Sequence, residues 1–88
     1  MDGTVTPQKD PVMGWDIMVS AKAGAGESIS GAEVRVNGFT KCSETFNPAT
    51  NQWQRTLPQQ GTYPGDNNAE LIVTNGKGEK TSYYNEWS

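Results

Sequence analysis

The chain has 88 residues, 33% of them hydrophobic, and a formal net charge of −3 from seven basic and ten acidic side chains. Its length suits one small domain, which at this size buries roughly two-thirds of its unfolded surface on folding. The basic residues form no run, which argues against nucleic acid and against a polybasic membrane anchor, and no apolar stretch approaches the roughly 20 residues of a spanning helix.

Residues 1–13 carry Gly3, Pro7 and Pro11 among polar groups. They leave room for a short edge strand around Val5, where a proline costs no ladder bond. Residues 14–88 carry the pattern of one β-domain. Trp15, Ile17, Val19, Ala21 and Ala23 share one face, opposite Asp16, Ser20 and Lys22, with Met18 the exception. A period of two over that length predicts a half-buried strand. Gly24-Ala25-Gly26 ends it. Ala32, Val34 and Val36 then alternate with Glu33, Arg35 and Asn37. Asn37-Gly38 follows, a hairpin dipeptide that accepts positive φ at both turn positions. The return strand, Phe39 to Phe46, alternates poorly, so the pattern does not set its register. Asn47 to Asn51 reads as a turn.

Trp53, Arg55 and Leu57 mark the next strand, and Pro58 to Asn68 reads as a loop with Gly61, Pro64 and Gly65. Ala69, Leu71 and Val73 alternate with Glu70, Ile72 and Thr74. Asn75-Gly76-Lys77-Gly78 turns the chain into a last strand, Glu79 to Trp87, which pairs back on Ala69 to Asn75. No segment sustains a 3.6-residue period. The pattern predicts an all-β, antiparallel β-sandwich of about seven strands. Its expected core is Trp15, Ile17, Val19, Val34, Val36, Trp53, Leu57, Leu71 and Val73, and its expected state is a monomer.

The run from Trp15 through Ile29-Ser30-Gly31-Ala32-Glu33-Val34-Arg35-Val36-Asn37-Gly38 resembles the second and third strands of bacterial immunoglobulin-like modules. Asn51-Gln52-Trp53, Leu57, Gly61, Asn68, Leu71, Val73, Asn75 and Gly78 resemble their later strands, with Asn75 where an aspartate is common. The same strand-and-turn grammar is similar to that of fibronectin type III modules. The resemblance covers residues 15–87. It implies an immunoglobulin-like sandwich serving as an accessory, spacer or adhesive module of a secreted or cell-surface protein. A single cysteine excludes the paired-cysteine framework of antibody domains.

Chemistry is constrained chiefly by the absence of histidine. That removes Ser-His-Asp and Cys-His triads and the usual zinc and copper ligands, and no cofactor is implied. The carboxylates Asp16, Glu33, Glu44, Glu70 and Glu86 read as outward-facing strand positions and Asp66 as a loop residue, so no desolvated acid pair is expected. Asp66, Asn68 and Glu70 are weak calcium candidates, outweighed by the turn chemistry of Asn and Asp. Cys42 reads as a small buried hydrophobe. Gly24-Ala25-Gly26 and Gly76-Lys77-Gly78 connect strands, not a strand to a helix, and are not phosphate loops. The expectation is a non-catalytic binding or spacer module with a protein or carbohydrate ligand. The alternative is a carbohydrate-binding module that stacks sugars on Tyr63, Tyr83, Tyr84 and Trp87. A blander placement competes with it: Tyr83 and Trp87 closing the core and Tyr84 covering a neighbouring strand.

Overall fold

The computed structural model describes residues 1–88. Seven strands follow one another without a helix: β1 (Asp2–Lys9), β2 (Trp15–Lys22), β3 (Ile29–Val36), β4 (Phe39–Thr50), β5 (Gln52–Gln60), β6 (Asn67–Asn75) and β7 (Lys80–Trp87). They form two antiparallel sheets, β1-β2-β5 and β4-β3-β6-β7, packed face to face as a β-sandwich.

The alternating apolar residues fill the space between the sheets. Ile17, Val19 and Ala21 of β2 meet Val34 and Val36 of β3, Trp53 and Leu57 of β5, and Ala69, Leu71 and Val73 of β6, all buried. Trp15 is half-buried and packs on this core. Val5 and Ile29, which stand outside the expected core, are buried too. β1 is therefore a full eight-residue strand paired along its length with β2, longer than the short strand expected.

Turn chemistry sets the hairpins. Asn37 (φ 51°) and Gly38 (φ 83°) take the two left-handed positions that their dipeptide predicts. Asn75 Oδ1 accepts the Lys77 and Glu79 amides, and Gly78 (φ 82°) closes that turn. Two expectations fail. Residues 47–50 are not a turn but continue β4, and Asn51 alone separates β4 from β5. The loop expected at 58–68 shrinks to residues 61–66, because β5 runs through Pro58 to Gln60 and β6 starts at Asn67. A bulge accommodates Pro58: β2 advances from Trp15 to Ile17 while β5 spans Leu57 to Gln60. Gln59 takes φ 53° there, and its amide donates to Asp16 Oδ1 at 2.9 Å.

β1 and β7 lie side by side at one flank and run in the same direction. Gly3 sits against the Tyr83 ring, where a Cβ has no room. The Tyr83 hydroxyl donates to Met1 O (2.9 Å), and Asn85 Nδ2 donates to Val5 O (2.8 Å). The opposite flank is closed by β4 and β5.

Candidate functional site

The two largest hollows both lie on the outer face of the three-stranded sheet. One, of about 450 Å³, is lined by Ser20, Lys22, Gln52 and Gln54 together with Ala21 and Trp53. The other, of about 210 Å³, adjoins it through Ser20 and Gln54 and extends over Thr4, Thr6, Met18 and Thr56, with Val19 and Arg55 also in its lining. Strand register puts these side chains in rows. Asp2, Lys22 and Gln52 stand in one, Thr4, Ser20 and Gln54 in the next, and Thr6, Met18 and Thr56 in the third. The second and third of these rows hold hydroxyls, one amide and one thioether, and no charge. Thr4 Oγ1 and Ser20 Oγ hydrogen-bond each other. Hydroxyls and primary amides donate and accept at once, so this surface suits a neutral, hydrogen-bonding ligand. It holds neither a nucleophile with a base beside it nor a pair of carboxylates.

Several of the acids are engaged elsewhere. Glu33 accepts from Thr40 Oγ1 (2.6 Å) and Arg35 Nε (2.8 Å), and those two donors hold its carboxyl below the usual carboxylate range. Glu27 accepts from the Met1 amino group at 2.7 Å, which lowers its pKa in the same way. Asp10 is lowered by the Val12 and Met13 amides in the β1–β2 turn.

Glu44 departs from its expected outward position. β3 advances one residue from Val34 to Arg35 while its partners in β4 pass from Cys42 to Thr40. That one-residue bulge at Lys41 reverses the faces of β4, and Cys42, Glu44 and Phe46 turn toward the gap between the sheets. Glu44 there accepts from Arg55 (2.6 Å), Trp53 Nε1 (3.0 Å) and Cys42 Sγ (3.5 Å). The Arg55 guanidinium lies 5.7 Å from the Trp53 ring centre. Burial pushes the Glu44 carboxyl up, but the three donors outweigh it and its pKa is lowered. Burial, then the neighbouring Glu44, raises the Cys42 thiol, the opposite of an activated nucleophile. The cluster ties β4 to β5 across the flank and acts as a structural clamp.

The four aromatic candidates do not assemble into one platform. Tyr83 and Trp87 face inward and pack on the core, and the Trp87 ring lies 5.9 Å from that of Trp15. Tyr84 points out from the four-stranded sheet and Tyr63 projects from the 61–66 loop, each 57% exposed.

The calcium candidates do not converge either. Asn68 and Glu70 occupy the outer side of β6, and Asp66 stays in the loop. No group of three or more Cys, Asp or Glu side chains stands close enough to hold a metal ion. Asn67, which the sequence presents as one more turn residue, is 3% exposed. Its Oδ1 accepts from the Tyr63 amide (2.8 Å) and Asn37 Nδ2 (3.1 Å), while its Nδ2 donates to Tyr63 O and Gly65 O (both 3.0 Å). Asn37 also exchanges bonds with the Asn68 backbone. The Asn-rich segment thus spends its polar atoms on the β3–β4 turn and the 61–66 loop. The only sequence signal for Asn67 is its place in phase with Ala69, Leu71 and Val73, two residues before Ala69, on the inward face of β6.

No known family model, curated protein or solved structure matches the chain at a significant level.

Proposed function

We propose that the chain is a non-catalytic binding or spacer module, and that the outer face of the three-stranded sheet is its ligand surface. The observation that carries the reading is two uncharged rows of Thr, Ser, Gln and Met side chains that run through the two largest hollows, where Lys22 and Arg55 supply the charged lining. The Glu27, Glu33 and Glu44 carboxylates are each committed to a structural partner. A neutral polysaccharide matches the donor and acceptor pattern of the face, and this is the second half of the proposal. The likeness of residues 15–87 to bacterial immunoglobulin-like modules supports placing the module in a secreted or cell-surface protein of a bacterium.

Two-dimensional amide spectra, recorded while soluble neutral glycans are titrated, test it. Saturable shifts confined to the neighbourhood of Thr4, Ser20 and Gln54, and lost in Gln54→Ala, are the expected result. Shifts centred on Tyr63 and Tyr84 would move the site to the exposed aromatics. A panel without any saturable shift would reduce the function to spacing alone.

A further inference from the structure

We infer that the chain self-associates through β7, pairing with β7 of a second copy to join two four-stranded sheets into one. The sandwich has four sheet edges, and three of them are blunted. β4 carries two register shifts and Pro48. β5 carries Pro58 in a bulge and the left-handed Gln59. β1 carries Pro7. Asp10 N–H bonds to Gly14 O at the β1–β2 turn, and antiparallel bonding alternates, so the odd-numbered residues of β1 turn their backbone groups to the outside. Pro7 therefore removes an edge donor, and Asn85 Nδ2 already takes Val5 O.

β7 carries neither a proline nor a bulge. It pairs with β6 over eight consecutive residues without a shift, a proline or a positive φ. Asn75 N–H bonds to Glu79 O, which fixes the alternation. Thr81, Tyr83, Asn85 and Trp87 turn their backbone groups to β6; Lys80, Ser82, Tyr84 and Glu86 turn theirs to solvent. Of these outward groups, the Glu86 amide is engaged within the chain, by Asn85 Oδ1 at 2.9 Å.

Charge selects the partner and the register. Lys80 and Glu86 are placed symmetrically about Tyr83, both on the outer face and both exposed. Charged residues ordinarily protect an edge from pairing. Here the opposite signs at equal distances make the strand complementary to itself when antiparallel. With Tyr83 on the twofold axis, Lys80 stands opposite Glu86 of the second copy and Ser82 opposite Tyr84. All four are outward-bonding residues, so the hydrogen-bonding phase and the charge pairing agree. A slip of two residues keeps the phase but unpairs both charges. Twofold symmetry places the ion pair in the interface twice. The inference is independent of the glycan reading and departs from the monomer expected from sequence.

Sedimentation of the full chain from ~10 μM to ~1 mM tests it, a range suited to a small interface. A monomer–dimer equilibrium is expected. Lys80→Glu and Glu86→Lys should each weaken it by roughly tenfold or more, since each sets two like-charge pairs in the interface. The combined swap, Lys80→Glu with Glu86→Lys, should restore it. Hydrogen exchange adds a signature of phase: at high concentration the Ser82 and Tyr84 amides gain protection, whereas the Thr81 and Tyr83 amides, already bonded to β6, do not change. A monomer at every concentration, a dimer indifferent to the single reversals, or a swap that stays monomeric while folded would overturn the inference.

Discussion

Replacing Asn67 with aspartate changes one NH₂ group to oxygen and leaves the side-chain shape almost intact. The two bonds accepted by Oδ1, from Tyr63 N–H and Asn37 Nδ2, survive. The two donated by Nδ2 become contacts between a carboxylate oxygen and the Tyr63 and Gly65 carbonyls. Each lost bond costs about 1 kcal/mol net, and burying the charge adds to it. The loop carbonyls lie near solvent, because Tyr63 and Gly65 are exposed, and that limits the penalty. The expected loss is about 2–3 kcal/mol at neutral pH, a large share of the stability of a domain this size. With a urea slope of about 1 kcal/mol per molar, the unfolding midpoint followed by tryptophan fluorescence should fall by about 2–3 M. The pH dependence carries the sharper test. The introduced carboxyl has a folded pKa above its unfolded value of about 3.9. Its penalty is complete above the folded pKa and recedes as pH falls toward the unfolded one. Asn67→Asp should therefore recover relative to the parent between about pH 7 and pH 4, and Asn67→Ala should not. A loss below about 0.5 kcal/mol, or equal losses at both pH values, would refute the view of Asn67 as a buried, saturated amide.

Trp53→Ala removes a 6% exposed indole and its bond to Glu44; it should cost about 3–5 kcal/mol in the same urea assay and leave little folded protein. Glu44→Gln should cost about 1 kcal/mol at pH 7, a figure kept small because Arg55 is half exposed. The folded pKa of Glu44 is depressed, so its contribution is present above the unfolded value of about 4.3 and disappears as pH falls through the folded one. Parent and variant midpoints should then converge in acid, and a difference that persists there would place the effect in packing instead of charge.

Strands whose two faces differ were legible in the sequence. The alternation of β2, β3 and β6 assigns every core residue they contribute except Ile29, and Asn37-Gly38 and Asn75-Gly76-Lys77-Gly78 fix the hairpins that join β3 to β4 and β6 to β7. β4 was not legible, because a one-residue bulge at Lys41 reverses its faces midway and makes the pattern average out. Glu44 consequently looks outward on paper and turns inward in the fold. Pro58 reads as a strand end, but a bulge absorbs it and the pairing resumes at Gln60. The proposed ligand surface was the least legible part. It is made of Thr, Ser and Gln residues on three strands, and only the β1-β2-β5 register gathers them. The aromatics stand out in the sequence instead, although the same alternation that sends Tyr84 out sends Tyr83 and Trp87 in.

The parallel course of β1 and β7 along one flank has a mechanical consequence. Met1 lies near the start of β7 and Trp87 near the end of β1, so the chain begins at one end of the sandwich and leaves at the other, along a body 41 Å long and about 20 Å wide. Tension applied at the two ends would run along both strands. Backbone bonds of an antiparallel ladder lie across the strand direction, so the eight pairs joining β1 to β2 and the eight joining β7 to β6 are loaded together in shear and cannot open one at a time like a zipper. The Tyr83–Met1 and Asn85–Val5 bonds cross between the two loaded strands and resist their sliding. Pulled from its ends, the domain is built to transmit force before it yields, and its lifetime under load is set by an unfolding rate and not by its equilibrium stability.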